Sequence, residues 1–390
     1  MHIALILPNP PGYSETFFKS KIRGLQTSGH EVILVTGANT ETFGDCKHKR
    51  HPKVYTSVWR QSAAFIIVGL SLLPHLAKVF RYIRLERKNK TTLKRIVEKV
   101  YINATLLKLK VNWLHFGFAT MAIERELVAE AIKAKMGVSF RGYDINVYPL
   151  KNKEVYKLLW EQVDKVHSIS NDLLDRAYAL GLPKDKTFRI ITPAIKTEAL
   201  PVKTNNAINK PIKIVTIARL HYIKGIDILL ETAAKLRDKQ LDFIWEVIGS
   251  GDQKAEERYL YQRYRLGLEA HVTFSGKLSH KKTLEALQSA ELYVQTSLIE
   301  GFCNAVLEAQ GLGKLTLAFD SGGLRENILD GETGFLAPIC DAKVMANTIE
   351  RVLGLSNKEK QNIQKQAGSR VKTHFSLEQQ QQAFVEFYTT

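Results

Sequence analysis

The sequence predicts an α/β protein built from two doubly wound parallel-sheet domains, and three observations carry that reading. The chain has 390 residues, a length that suits two domains of ordinary size. Short apolar runs alternate with helix-period stretches in both halves. Between them lies a polar stretch, residues 196–210 (KTEALPVKTNNAINK), with Pro201 and no apolar periodicity, which reads as a linker.

The first half opens on Ile3–Leu7, an apolar run with neither a basic lead nor a cleavage site, so it reads as a buried strand and not a signal peptide. Pro10, Pro11 and Gly12 break it into a loop. Thr16–Thr27 places Phe17, Ile22 and Leu25 at helical spacing, Gly29 ends that helix, and Val32–Val35 is a second strand. This order is the start of a parallel crossover unit. Val111–His115, Gly137–Phe140 and Val166–Ser170 are later strands, the last followed by a helix, Gly181 and Pro183. After the linker the alternation restarts with strand Ile212–Ala218, helix Ile226–Lys235 and strand Phe243–Gly249. Val272–Ser275, Leu292–Gln295 and Thr316–Phe319 are further strands with helices between them. Ser376–Tyr388 is expected to be helical. The expected division is 1–195, linker 196–210, 211–375, and a tail 376–390 returning to the first domain.

Composition is that of a globular chain, 45% hydrophobic and 24% charged. Cys46, Cys303 and Cys340 are scattered without metal-ligand spacing, which points to a reducing compartment and no disulfide framework. The net charge of +17 is uneven: residues 1–195 hold 31 Lys+Arg against 16 Asp+Glu, and residues 196–390 hold 25 against 23. Residues 78–110 concentrate the excess, 11 basic against two acidic, and point to an anionic partner for the first half. Aromatics are not interleaved with these cations, which argues against nucleic acid.

The chemistry-bearing residues cluster after the strands of the second half. Strand Ile212–Ala218 ends at Arg219, and a helix starts after Lys224 and Gly225. Two cations at the carboxyl end of a parallel strand can straddle a diphosphate and neutralise charge on a leaving group. After Leu292–Gln295 comes a loop with Glu300, Gly301 and Phe302, then a helix carrying Glu308, eight residues beyond Glu300. Such a junction offers backbone N–H groups and a helix N-terminus to phosphate. Glu308 can reach ribose hydroxyls and Glu300 a sugar. Gly249 and Ser250, within Gly249-Ser250-Gly251-Asp252, allow a close backbone approach to the ligand. No Asp-x-Asp follows a strand, so no metal is expected, and the two glutamates do not read as a hydrolase dyad.

In order and rough spacing, R-L-x-x-x-K-G, G-S-G, G-K-L (Gly276–Leu278), E-x7-E, S-G-G and D-G-E-T-G-F-L resemble the C-terminal domain of retaining, nucleotide-sugar-dependent glycosyltransferases of the GT-B fold. The resemblance implies two facing Rossmann-like domains with the donor in a cleft between them. It implies that Arg219 and Lys224 grip the donor diphosphate, that Glu300 touches the hexose beside the backbone amides of Gly301, Phe302 and Cys303, and that Glu308 binds ribose. It places the base near Lys277 and Leu278 and turns the loop of P-G-Y-S-E-T-F, with Gly12, toward the diphosphate. H-F-G (His115–Gly117) and F-R-G-Y-D-I (Phe140–Ile145) resemble members that build bacterial exopolysaccharide, colanic acid and O-antigen chains. Where many relatives carry His-Gly, this chain has Arg141-Gly142, and Arg141 is a poor base because it stays charged. His115, Arg141 and Asp144 are the acceptor-side candidates. The implied reaction moves a hexose from a nucleoside-diphosphate sugar to a growing, lipid-linked glycan with retention, needing no cofactor.

Leu76, Val79, Phe80 and Ile83 form a helical stripe with Lys78, Arg81, Arg84 and Lys88 off it. Ala63–Leu73 beside it is apolar but about half the ~20 residues that span a bilayer, and Pro74 interrupts it. Residues 62–110 are therefore expected either to contact an anionic membrane, at the inner face of the cytoplasmic membrane, or to pack on the first sheet as a buried segment and a solvated basic helix. The rivals are a nucleotide-sugar 2-epimerase, which the E-x7-E context fits poorly, and a catalytically idle nucleotide-sugar or membrane-binding scaffold.

Overall fold

The computed structural model describes residues 1–12, 16–200 and 211–390. Residues 13–15 of the first loop and 201–210 of the expected linker, Pro201 included, lie outside the described residues. The chain divides into two compact units, Met1–Ile191 with Gln380–Thr390, and Thr192–Gln379. Each holds one wholly parallel sheet with helical crossovers, a Rossmann-like arrangement.

In the first unit the strands are β1 (His2–Ile6), β2 (Glu31–Thr36), β3 (Lys47–Arg50), β4 (Trp113–Phe116), β5 (Lys135–Phe140), β6 (Lys165–Ser168) and β7 (Thr187–Ile190). Their order is β3-β2-β1-β4-β5-β6-β7. The central strands are buried over nearly their whole length because a parallel sheet is covered on both faces. One core cluster joins Ile3, Leu5, Phe17 and Phe18 to Phe384, Phe387 and Tyr388 of the helix Leu377–Thr389.

In the second unit the strands are β8 (Ile212–Ile217), β9 (Phe243–Ile248), β10 (Val272–Gly276), β11 (Leu292–Gln295), β12 (Leu315–Phe319) and β13 (Phe335–Ala337), ordered β10-β9-β8-β11-β12-β13. Sheet order reverses between β8 and β11, which pair directly as Leu292↔Ile214 and Tyr293↔Val215. Loops leaving the carboxyl ends of those two strands flank the crevice position where ligands usually bind in such a sheet.

Strands β3, β7 and β13 add to the expected set, and β3 carries no apolar signal of its own. β3 reads Lys-His-Lys-Arg, and its charges suit an exposed edge that must not pair with another chain.

The basic helices depart from expectation. The helix Val58–Leu72 passes through a short turn, Leu73–His75, into the helix Leu76–Lys88. Pro74 falls in the first turn of that segment, where its missing N–H costs little, so it does not end the helical run. Val58–Lys88 is thus long and apolar enough to cross a membrane by length and composition, with an 18-residue window of mean hydropathy 1.9 that is only 11% buried. The buried side of Leu76–Lys88 is Val79, Tyr82 and Glu86, the last paired with buried Lys99 at 2.6 Å. Leu76 and Phe80 face outward instead. Two of the expected surface cations turn inward: Lys78 donates to the Leu109 carbonyl and Arg81 to that of Ala131.

Candidate active site

The site grows from the β8/β11 crevice. Past β8 the chain makes a short turn, Tyr222–Lys224, closed by Gly225 at φ +61° before the helix Ile226–Asp238. A Cβ on Gly225 would lie 2.1 Å from the Thr296 carbonyl oxygen, so only glycine lets the two loops meet. They are laced by Thr296 Oγ1 donating to the Lys224 carbonyl at 3.0 Å and by Leu298 N–H donating to that of Ile223 at 2.8 Å. Through this contact Lys224 Nζ donates to Glu300 Oε2, with the two side chains 15% and 13% exposed. Arg219 is exposed at the end of the same strand.

Gly249 and Ser250 serve the scaffold directly. Gly249 has φ +142°, a Cβ there would lie 1.9 Å from the Ala218 carbonyl oxygen, and Leu220 N–H donates to Ser250. The end of β9 is thereby clamped against the segment bearing Arg219. Asp252 caps the next helix through the Ala255 N–H at 2.8 Å.

Beyond β11, Glu300 is held from behind. Ser297 Oγ donates to Glu300 Oε2 at 3.0 Å, Gln295 Nε2 donates to Ser297 Oγ at 2.7 Å, and the Tyr293 hydroxyl donates to Gln295 Oε1. The S-G-G turn packs on the same loop: Gly323 N–H donates to the Glu300 carbonyl at 2.8 Å, and a Cβ on Gly323 would meet the Gly301 carbonyl oxygen at 2.0 Å. The side chains of Phe302 and Cys303 point into the core. Burial pushes the Cys303 thiol up to about 12, which removes it as a nucleophile. The Cys303 N–H was expected to face the ligand, but Asn327 Oδ1 already takes it at 2.9 Å. Glu308, in the helix Asn304–Gly311, meets His280 Nε2 at 2.8 Å, and this bond raises the His280 pKa against a smaller opposing effect of burial. Lys277 is exposed, while Leu278 packs against a core cluster.

In the first unit two acceptor-side expectations need correction. His115 is fully buried, with Tyr388 Oη on Nδ1 at 2.7 Å and both Ser139 Oγ (2.7 Å) and Lys21 Nζ (3.1 Å) on Nε2. It presents no face to a ligand. Asp144 is also buried, and accepts from the backbone N–H groups of Ala119, Arg141 and Gly142 at 2.9–3.0 Å, which makes it a loop anchor. Burial raises its pKa against the opposing pull of those bonds. Arg141 is half-buried and stacks its guanidinium over Phe17 at 3.8 Å and Phe18 at 4.4 Å. Gly12 lines an open hollow of about 560 Å³ with Pro10, Lys19, Glu41, Phe43 and Asp45. Among the described residues no group of three or more His, Cys, Asp or Glu side chains is placed to hold a metal ion.

Sequence reasoning missed Tyr293, Gln295, Ser297, His280 and Asn327. The first three carried a usable signal: polar residues at alternate positions of a strand share one face.

A parallel-sheet unit with two cations and two acids beside its switch point is the architecture of a nucleotide-binding α/β domain. The comparisons make this specific: residues 201–370 match the family glycosyl transferases group 1. Among curated relatives, the amylovoran biosynthesis glycosyltransferase AmsK of Erwinia amylovora is 26% identical over 247 residues, 61% of this chain and 60% of that protein. The putative colanic acid biosynthesis glycosyltransferase WcaL of Salmonella typhimurium is 22% identical over 368 residues, 89% of each chain. Among solved structures, sucrose-phosphate synthase of Thermosynechococcus elongatus superposes with a TM-score of 0.74 at 18% identity, covering 100% of this chain and 98% of that one. Anabaena HepE in complex with UDP and glucose gives 0.71 at 15% identity, covering 99% and 98%. The fold is GT-B.

Proposed function

We propose that this chain is a retaining, metal-independent hexosyltransferase that moves a sugar from a nucleoside diphosphate to a growing, lipid-linked glycan in bacterial surface or exopolysaccharide synthesis. The observation that carries the reading is the Lys224–Glu300 pair at the sheet's switch point, with Arg219 exposed on the same strand end. As the anomeric C–O bond breaks, negative charge grows on the departing diphosphate, and Lys224 and Arg219 are the groups to neutralise it. Glu300 orients the hexose hydroxyls beside the amides of Gly301 and Phe302. Glu308 takes the ribose. Gly249 and Ser250 flank the diphosphate, and Lys277 and Leu278 the base. Arg141 is the remaining acceptor-side candidate. Retention follows from the resemblance to retaining enzymes, the leaving diphosphate accepting the acceptor's proton on the same face. The names of AmsK and WcaL support a polysaccharide product.

The same reading puts the first unit on an anionic membrane. Trp59 is 86% exposed and Phe80 64%, and Ile66, Ile67, Leu70 and Leu73 are exposed between them. Soluble surfaces seldom show so large an apolar stretch without a partner. Burying each such side chain in lipid contributes ~1.5–3 kcal/mol, and each basic neighbour ~1 kcal/mol. This favours a peripheral position on the inner face of the cytoplasmic membrane.

Thermal shift against UDP, GDP, ADP and dTDP tests the donor reading. A nucleotide at 100 times its Kd stabilises by ~2.7 kcal/mol. One nucleoside diphosphate raising Tm in the wild type and not in Lys224→Ala is the expected result. No shift with any of them would remove the reading.

A further inference from the structure

Resting on the donor-site reading above, we infer that Tyr293, Gln295 and Ser297 are positioning residues that hold the Glu300 carboxylate in its working orientation when Lys224 leaves it for the donor diphosphate. The three occupy alternate positions on β11 and its extension, and all are fully buried. Buried hydroxyl and amide groups are costly unless satisfied, and an apolar set of similar volume would fill this space without that cost. Here every donor points the same way: Tyr293 hydroxyl to Gln295 Oε1, Gln295 Nε2 to Ser297 Oγ at 2.7 Å, Ser297 Oγ to Glu300 Oε2 at 3.0 Å. Bonds aligned in one sense polarise one another and strengthen the last.

The arrangement at Glu300 explains the need. Lys224 and Ser297 both donate to Oε2, which leaves Oε1 for a ligand. A diphosphate draws Lys224 away, and a largely buried carboxylate left without its charged partner would swing toward water or follow the lysine unless another group held it. Ser297 keeps it in place, and its own backbone is pinned by Ser321 Oγ donating to the Ser297 carbonyl at 2.7 Å.

The test is a double-mutant cycle with Tyr293→Phe and Ser297→Ala, read as donor turnover (release of nucleoside diphosphate) on a panel of UDP-glucose, UDP-galactose, UDP-N-acetylglucosamine and GDP-mannose. Each single variant is expected to lower kcat about five- to tenfold with donor KM within about twofold. Tyr293→Phe should add nothing once Ser297→Ala has cut the chain. Additive effects, or unchanged kcat in both singles, overturn the relay. Glu300→Gln separates the two claims: if it keeps wild-type turnover the donor-site reading fails, whereas if it loses turnover while both singles keep theirs only the relay fails. A crystal structure of Ser297→Ala reads the same point without turnover. Glu300 in an altered rotamer is expected, and an unmoved carboxylate contradicts the inference.

Discussion

Lys224 and Glu300 stand 76 positions apart in the chain and share one hydrogen bond at the switch point of the second sheet. Neither is strongly exposed, so each neutralises the other while no donor is present. Removing one partner leaves the other largely buried without its counter-charge. Lys224→Ala is therefore expected to lower turnover by ~10²–10³ while the fold survives. Arg219→Ala, which touches an exposed side chain, should match it in kcat with less effect on Tm. Steady-state kinetics alongside differential scanning calorimetry checks both, and wild-type turnover in either variant would count against the assigned role.

The His280–Glu308 contact gives a titration. The bond to Glu308 raises the His280 pKa, so the stabilisation is fully present below the ordinary value of 6.5 and is lost as pH rises through the raised folded value. In NMR titrations His280 should titrate above 6.5 in the wild type and return toward 6.5 in Glu308→Gln. His280→Ala is expected to weaken nucleotide binding about two- to fivefold, since the pair is half exposed.

Acid should unfold the first unit. Burial lowers the pKa of His115 and of His167 well below 6.5, and brings His51 down to about 4. Lys21, buried among aromatic rings with Arg141 nearby, is likewise lowered. The unfolded chain binds the proton more readily at the histidines below 6.5 and at Lys21 below 10.5, so stability falls as pH drops through those ranges. Asp144 and Glu126, with raised pKa values, act in the opposite sense, from their ordinary carboxylate values upward. Tm is expected to fall by about 5 °C or more between pH 7 and pH 5. A flat or rising profile would contradict this.

Membrane attachment should rest on apolar contact as well as charge. On vesicles containing phosphatidylglycerol, cosedimentation is expected to weaken at 1 M salt without vanishing, because screening acts only on the charged part. Ile66→Glu with Ile67→Glu should abolish it at both low and high salt. Equal binding of that variant would sink the proposal.

How much of this was legible in the sequence depends on what sort of signal each residue carries. Central strands such as Leu292–Gln295 read cleanly because burial on both faces forces continuous apolar runs. The edge strand Lys47–Arg50 did not, since its residues answer to solvent and to the avoidance of pairing. Periodicity also misplaced one helical face: Phe80 fits the stripe but points outward, while Glu86 is buried because Lys99 pairs with it. A carboxylate's partner 13 residues away is not visible in a hydropathy pattern. At the site, Arg219, Lys224, Glu300 and Glu308 stood out by type and spacing. His115 was the weaker signal and is buried, because a histidine after a strand looks the same whether it faces a ligand or a neighbouring lysine. Tyr293, Gln295 and Ser297 went unread although their alternate spacing puts them on one face, because that spacing does not show the hydrogen bonds that join them to Glu300.

The most direct measurement is a crystal structure with the nucleoside diphosphate that gives the largest thermal shift. The expected result has the diphosphate between Arg219 and Lys224, with Lys224 Nζ within ~3 Å of a phosphate oxygen and withdrawn from Glu300, and the ribose on Glu308. A diphosphate bound elsewhere, or seated there with Lys224 still on Glu300 and Arg219 turned away, would contradict it.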